Sequence, residues 1–341
     1  YDHIEHLLTL SSSRGGSVIA PCEGGYLYDD GDGVWIEAKP DPGFRFAGWS
    51  GTCAATENPL LITMNQNHKI KATFVSPLDT LYVDDDAFLN VASGNSDGND
   101  PNEDGTAEHP FNSIQEAIEV AREDAVIIVR EGTYCEQIDL LAKNVRLLGE
   151  DSNNPTQQFW PVVEGTGLGP AVSFCEGQTT KCLLTGFVIT RCSGRTAGAI
   201  YCDGASPTIT NCLIVGNRTT LPNGAAVFCR NSKAVLANCT VADNYATQQG
   251  AGLALIDSDV AVLNSILWNN LASEILSTGT SELDIRYSDV RGGWPGVGNR
   301  DEDPLFARPG SWVDPDAPDK ILAPSMTWSV WADGDYHLRS R

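Results

Sequence analysis

The sequence is poor in several things at once. Among 341 residues there are only 2 Met and 7 Lys. Flexible gap-fillers and lysine bases are therefore scarce. No apolar run reaches the length that crosses a bilayer as a helix, so membrane insertion is not expected. Positive charge is short: Lys+Arg is 22 against Asp+Glu 45, a net charge of -23. A field of that sign repels nucleic acid and anionic lipid. CxxC, CxxH and HExxH spacings are all missing, although there are 10 Cys. Thiols in that number without metal spacing suit an oxidising compartment better than the cytosol. The chain carries no initiator Met and no signal peptide, and it reads as an internal piece of a longer exported protein.

What is present divides into stretches. Over 1–76, short strand-like runs (His6–Leu10, Ser17–Ile19, Val34–Ala38, Phe44–Trp49, Leu60–Met64, Ile70–Val75) alternate with Gly-, Asp- and Pro-rich turns. A small β-rich module is expected there. Cys22 and Cys53 are its two cysteines, and a disulfide between them is expected to reinforce a small core. Residues 77–110 read as an acidic linker. From Leu78 to Pro110 there are nine Asp or Glu and no Lys or Arg. Asp97, Asn99 and Asp104 space oxygen ligands along a Gly-containing loop, so Ca²⁺ is the candidate ion, against a simple solvated loop. Ser113 and Glu116 form a capping box that opens a helix over Ile114–Arg122. Its apolar face, Ile114, Ala117, Ile118 and Ala121, suits a lid on an open β end.

A repeat sets the fold of the rest. Cys175, Cys202 and Cys229 are 27 residues apart, as are Cys212 and Cys239. A second column holds Asn211, Asn238 and Asn264, and a third Asn217, Asn244 and Asn270. Three short β-rich runs in each period of 26–27 residues predict an all-β solenoid over 111–300, followed by a non-repeating, Trp-rich tail over 301–341. Parity places Cys175, Cys202 and Cys229 inside, as a buried thiol stack. Asn211, Asn238 and Asn264 are expected to form an amide ladder at a bend. The opposite parity sends Phe174, Tyr201 and Phe228 outward. That column is a surface covered by the tail, a platform for sugar rings, or simply exposed.

Two stretches resemble known families. Gly31–Gly51, with its Pro42, Gly43, Phe44 and Gly48, Trp49, Ser50 core, and Ile70–Phe74 resemble the divergent internalin-B-type B-repeat, a non-catalytic module of bacterial surface and secreted proteins. Leu81–Asp84, His109–Ile118, Val126–Tyr134, Val145–Gly149, Ile285–Gly293 and Gly298–Phe306 resemble secreted bacterial right-handed parallel β-helix proteins. The resemblance implies that fold and an extracellular or cell-surface location. It does not imply an activity.

The functional expectation is an exported scaffold or adhesin. Its partners would be a polysaccharide or cell-surface glycan, or further copies stacked end to end in a filament. The alternative is a carbohydrate-active enzyme, either a Ca-dependent polysaccharide lyase or a glycoside hydrolase. A lyase needs a Lys or Arg base. Lys143, Lys181 and Lys233 and the arginines of the coils sit away from acidic clusters in the repeat text. A hydrolase needs paired carboxylates. Glu176 and Asp203 would supply them one coil apart, with Arg230 on the next coil, although an arginine there keeps both ionised. The five His all fall outside the repeated coils.

Overall fold

The computed structural model describes residues 4–13, 15–41, 44–75, 80–85, 103–150, 160–175, 177–194, 198–219, 224–326 and 328–339. The chain forms two compact units, Tyr1–Leu78 and Asp79–Arg341.

The first unit is a pair of β-sheets. One has the order Gly24–Asp29, Glu5–Ser12, His68–Val75, Arg45–Gly51, and the other Gly16–Ala20, Gly33–Pro40, Leu60–Thr63. Alternation is strict where it matters: in Gly33–Pro40 the residues Val34, Ile36 and Ala38 are buried and their neighbours exposed. Leu8, Ile36, Met64, Ile70 and Ala72 are sealed completely. The strand Gly24–Asp29 lies where the sequence promises a turn. It pairs antiparallel with Glu5–Ser12 as an edge, setting Leu27 opposite Leu7. Cys22 and Cys53, the pair expected to bridge, are not bonded to each other in this structure. Cys53 packs against the core, whereas Cys22 is exposed on the turn beyond Ile19.

The second unit is a parallel β-helix. Among the described residues it has three parallel sheets of eight, seven and six strands. Sheet 1 runs from Thr80–Val83 to Glu282–Arg286, sheet 2 from Thr133–Tyr134 to Asp289–Val290, and sheet 3 from Ile138–Asp139 to Ile275–Thr278. Each coil visits the sheets in that order. The solenoid therefore starts at Thr80, inside the stretch expected to be a linker: Thr80–Val83 pairs in parallel with Val126–Val129.

Register corrects the thiol stack. Ile200 pairs with Val227 and Val227 with Leu253, while Cys202 pairs with Cys229 and Cys229 with Leu255, all buried. One coil earlier the frame moves by one: Val172 pairs with Ile200, Phe174 with Cys202 and Cys175 with Asp203. Phe174 is therefore sealed inside, and Cys175 is half-buried on the other face. A one-residue slip exchanges the faces of a strand, and the loops between strands absorb the difference in length. The hydrogen-bonded contact with Cys229, and then burial, push the Cys202 thiol well up, which leaves it inert.

The helix Ile114–Val120 fills the turn opened by Thr80–Val83. It buries Ile114, Ala117 and Ile118 against the first strands of sheets 1 and 3. Side chains of the following turn satisfy both helix ends. The Glu136 carboxylate accepts from Ile114 N, Gln115 N and Ser113 Oγ, each at 2.9 Å. Lys143 Nζ donates to the carbonyls of Ile118, Glu119 and Ala121 at 2.7–2.8 Å. An anion at the N-terminus and a cation at the C-terminus also complement the helix dipole.

The internal amide ladder uses the third Asn column rather than the second. Asn217 Nδ2 donates to Asn244 Oδ1 at 3.0 Å, and Asn244 Nδ2 to Asn270 Oδ1 at 2.8 Å. The backbone N–H of Cys192, Asn217 and Asn244 each donate to the next Asn Oδ1. These amides are buried and paired, as an interior demands. Asn211, Asn238 and Asn264 instead occupy left-handed corners, at φ 51, 54 and 49, with exposed side chains.

Glu274 ends the ladder, accepting from Asn270 N and Asn270 Nδ2. At the far end of sheet 2, the segment 291–300 pairs with the last strand through an Asp289–Arg300 bridge. Asn299 there accepts from Ser288 N and donates to Ile285 O.

The tail lies on the outer face of sheet 2. Trp331 rests on Gly216, where any Cβ would collide with its ring, and stacks edge-on to Trp312 at 5.4 Å. With Phe306 they cover Val215 and Ala242. Arg218 lies over Trp312 at 5.3 Å, and Arg191 bridges Glu164 and Asp333. Tyr336 Oη donates to Asp243 Oδ2 at 2.5 Å and accepts from Gly310 N at 3.2 Å.

Two measurements test these contacts. Burial pushes the Glu274 carboxyl up to about 7, against the opposing pull of Asn270. The folded state holds this proton more tightly than the unfolded chain. Stability from this group is therefore full at acid pH, falls as pH rises from about 4.5 to about 7, and is flat above. Glu274→Gln is expected to remove up to about 3 kcal/mol of that slope in urea titrations. Tyr336→Phe leaves Gly310 N without its acceptor and takes one of two side-chain donors from Asp243, which keeps Asn269. It is expected to cost about 1–3 kcal/mol and to speed amide exchange in 305–339.

Candidate functional site

Two surfaces of the β-helix concentrate chemistry. The first is the outer face of sheet 3, where the sequence places both the catalytic and the sugar-stacking candidates. Register dismantles that constellation. The coil neighbour of Asp203 is Cys175, not Glu176, and Glu176 lies outside the described residues. Asp203 accepts from Arg230 Nε at 3.0 Å, from Arg230 Nη2, and from Tyr201 Oη at 3.1 Å. The Arg230 bond foremost holds its carboxyl below the usual range, which suits a fixed anion and not a proton donor. Burial, and then the bond to Asp203, push the Tyr201 phenol up to about 12.

The aromatic column fares no better as a sugar platform. Phe174 is inside the solenoid, and Phe228 is only 3% exposed, packed on Ala254 beside Ile256 and Leu276. Tyr201 alone is half-exposed, and Arg230 lies 6.0 Å from its ring centre. The tail does not cover this column, because it packs on sheet 2.

The second surface is a cleft of about 220 Å³ between the tail and sheet 2. Val188, Leu213 and Thr240, successive partners in sheet 2, form its floor. Trp160 stands on one side, at the approach to the strand Val162–Glu164. Tyr336 and His337 stand on the other, on the tail strand Asp335–Leu338. Asn238 reaches it from its left-handed corner. His337 Nδ1 bonds Asp335 Oδ1 at 2.6 Å, and the same oxygen accepts from His337 N at 3.1 Å. This contact with His337 draws the Asp335 carboxyl below its usual range. The imidazole itself stays largely exposed to solvent. The cleft lining thus brings together an aromatic ring, a hydroxyl and an amide beside a largely exposed imidazole.

Repeat reasoning passes over Trp160 and His337. It treats histidines outside the coils as outside any site, yet the tail carries His337 onto a coil face. The signal in the sequence is the strand-like Asp335–Leu338 next to the Trp-rich tail; its docking position is not written locally. Of the expected calcium ligands, Asp97 and Asn99 lie outside the described residues, and Asp104 Oδ1 accepts from Thr106 N at 3.0 Å. Among the described residues, no three His, Cys, Asp or Glu side chains gather as a metal site.

Comparison with known proteins agrees with both units. Residues 6–77 match the divergent InlB B-repeat domain. Residues 96–292, more than half of the chain, match the family described as protein of unknown function (DUF1565). No curated protein and no solved structure matches the chain. The three-sheet solenoid and the span of the match together make this chain a member of the DUF1565 family, with a divergent InlB B-repeat module ahead of it.

Proposed function

We propose that the protein is an exported, non-catalytic β-helix scaffold that holds a neutral glycan of a cell surface or extracellular matrix. The Trp160–His337 cleft carries this reading, because its lining offers stacking and hydroxyl contacts without a cation to fix a carboxylate ligand. The B-repeat module supports the location, since such modules belong to surface and secreted proteins. Three ion-paired carboxylates on the faces of sheets 2 and 3 support the absence of chemistry there. Asp203 is committed to Arg230, and Glu164 and Asp333 to Arg191. A net charge of -23 also disfavours a polyuronate. Calcium at the acidic loop remains part of the proposal, as a structural ion.

End-to-end filament growth is the weaker partner reading. The 291–300 segment pairs with the last strand of sheet 2, and the last strand of sheet 1 exposes Glu282, Asp284 and Arg286. Charged edges of this kind oppose strand addition. The enzyme alternative keeps one supporting observation, the Asp335-oriented His337 at the cleft.

Calorimetry against neutral and acidic polysaccharides, with and without calcium, tests the reading. Neutral glycan is expected to bind, and Trp160→Ala to weaken it at least tenfold, a loss of about 1.4 kcal/mol or more. Reducing-end and ultraviolet assays are expected to stay flat. Turnover abolished by His337→Ala establishes the enzyme instead.

A further inference from the structure

The β-helix carries two Asn columns, and only one is used internally. Asn217, Asn244 and Asn270 are saturated by the ladder. Asn211, Asn238 and Asn264 stand on the outside of the corner between sheets 1 and 2. Their backbone N–H groups are satisfied: each donates to a carbonyl of the next coil, Ala237, Leu263 and Arg286, at 3.0–3.1 Å. Asn211 Nδ2 donates to Thr185 Oγ1 at 3.1 Å. The amides of Asn238 and Asn264 make no hydrogen bond among the described residues. Asn tolerates the left-handed conformation well, so three corner asparagines do not by themselves make a site.

The ends of the column add the second observation. The sheet 2 register runs Val162, Val188, Leu213, Thr240, Ile266, Asp289. Two residues before these lie Trp160, Gly186, Asn211, Asn238, Asn264 and Tyr287. The amide column is thus flanked in register by an aromatic on either side. Tyr287 shares the left-handed corner, at φ 54, and is 61% exposed. Its ring lies against Gly298, where a Cβ would collide with it, so the ring has a firm backing. Trp160 and Asn238 also line the cleft described above.

Spacing and chemistry indicate what fits. Coils repeat at about 4.8 Å, so Trp160 to Tyr287 spans roughly 24 Å in five steps. An extended, equatorially linked pyranose chain advances by a closely similar length per sugar. A primary amide both donates and accepts, and so pairs with neighbouring hydroxyls. Rings at the ends stack on sugar faces. Among the described residues, the one Lys or Arg bonded to these corner asparagines, Arg286 through its backbone carbonyl, already pairs its guanidinium with Asp284, which favours a ligand without carboxylates. We infer that the corner column Trp160, Asn211, Asn238, Asn264 and Tyr287 is a docking track for an extended neutral polysaccharide, one sugar per coil along the solenoid axis. This rests on the glycan reading and adds the ligand's shape, direction and length.

Calorimetry with neutral β-linked cello-, xylo- and manno-oligosaccharides of increasing length tests it. Affinity in at least one series is expected to climb with each added unit and to level off at about five or six, the length of the track. Asn238→Gly keeps the left-handed corner but removes the amide. It is expected to melt like the parent and to bind long oligomers about tenfold more weakly. Tyr287→Ala is expected to weaken long oligomers more than short ones. Trp35→Ala, an exposed aromatic of the other unit, serves as the control and is expected to change nothing. If binding is lost in Trp160→Ala yet is independent of length and unaffected by Asn238→Gly and Tyr287→Ala, the track is wrong and the cleft reading stands. If none of the three series binds, both fail.

Discussion

Everything in the larger unit depends on one constraint. Each coil must satisfy its backbone N–H and C=O groups on the coils before and after it while keeping alternate side chains inside. The period of two along a strand is rigid, whereas the length of a coil is not. Paired residues in sheet 2 lie 26 apart from Val162 to Val188, 25 to Leu213 and 27 to Thr240. Loops take up the difference, so that Phe174, Cys202, Cys229 and Leu255 share one interior column despite uneven spacing. A parallel stack leaves no freedom to do otherwise, because a wrong parity would bury charge and expose core.

Polar groups in the interior follow the same logic. A solenoid turn bends away from the sheets and leaves backbone groups inside. The ladder from Cys192 N through Asn217, Asn244 and Asn270 to Glu274 satisfies them with side chains that point the same way on every coil. Aligned amides end naturally on an acceptor. Burial makes an anion there costly, which is why the Glu274 proton is held toward neutrality. At the opposite end, Glu136 and Lys143 clamp a helix too short to stand alone.

The outer face of sheet 2 links structure to function. Trp312, Trp331 and Phe306 cover Val215 and Ala242, and a cleft is left over Val188, Leu213 and Thr240. The tail therefore both completes the fold and supplies Tyr336 and His337 to the cleft. Arg191, Arg218 and Asp243 hold it in place through unlike interactions: ion pairs, a cation–π contact and a phenol hydrogen bond. Asp243 of the coils thereby positions Tyr336, and with it the neighbouring His337.

The solenoid and its period were legible from the sequence, because stacking forces equivalent residues to recur and recurrence is visible in Cys202, Cys229, Cys212 and Cys239. The capping helix was legible too, since Ser113 and the apolar spacing of Ile114, Ala117 and Ile118 are local signals. Register was not. The 27-residue step from Cys175 to Cys202 sent Phe174 outward, and a single extra residue in a connecting loop reverses that face with no local mark. Nor did the sequence say which Asn column would be internal, since both repeat equally well; corner geometry alone separates Asn238 from Asn244. The candidate site was the least legible part. Trp160 precedes a strand, and Asp335 and His337 lie in a tail without repeats. Only the docking of that tail, decided by Trp331 on Gly216 and Tyr336 on Asp243, brings them to one cleft. Periodicity reports what neighbours in a stack must share, whereas a contact between residues 93 apart in the chain depends on surfaces that exist only once the stack is built.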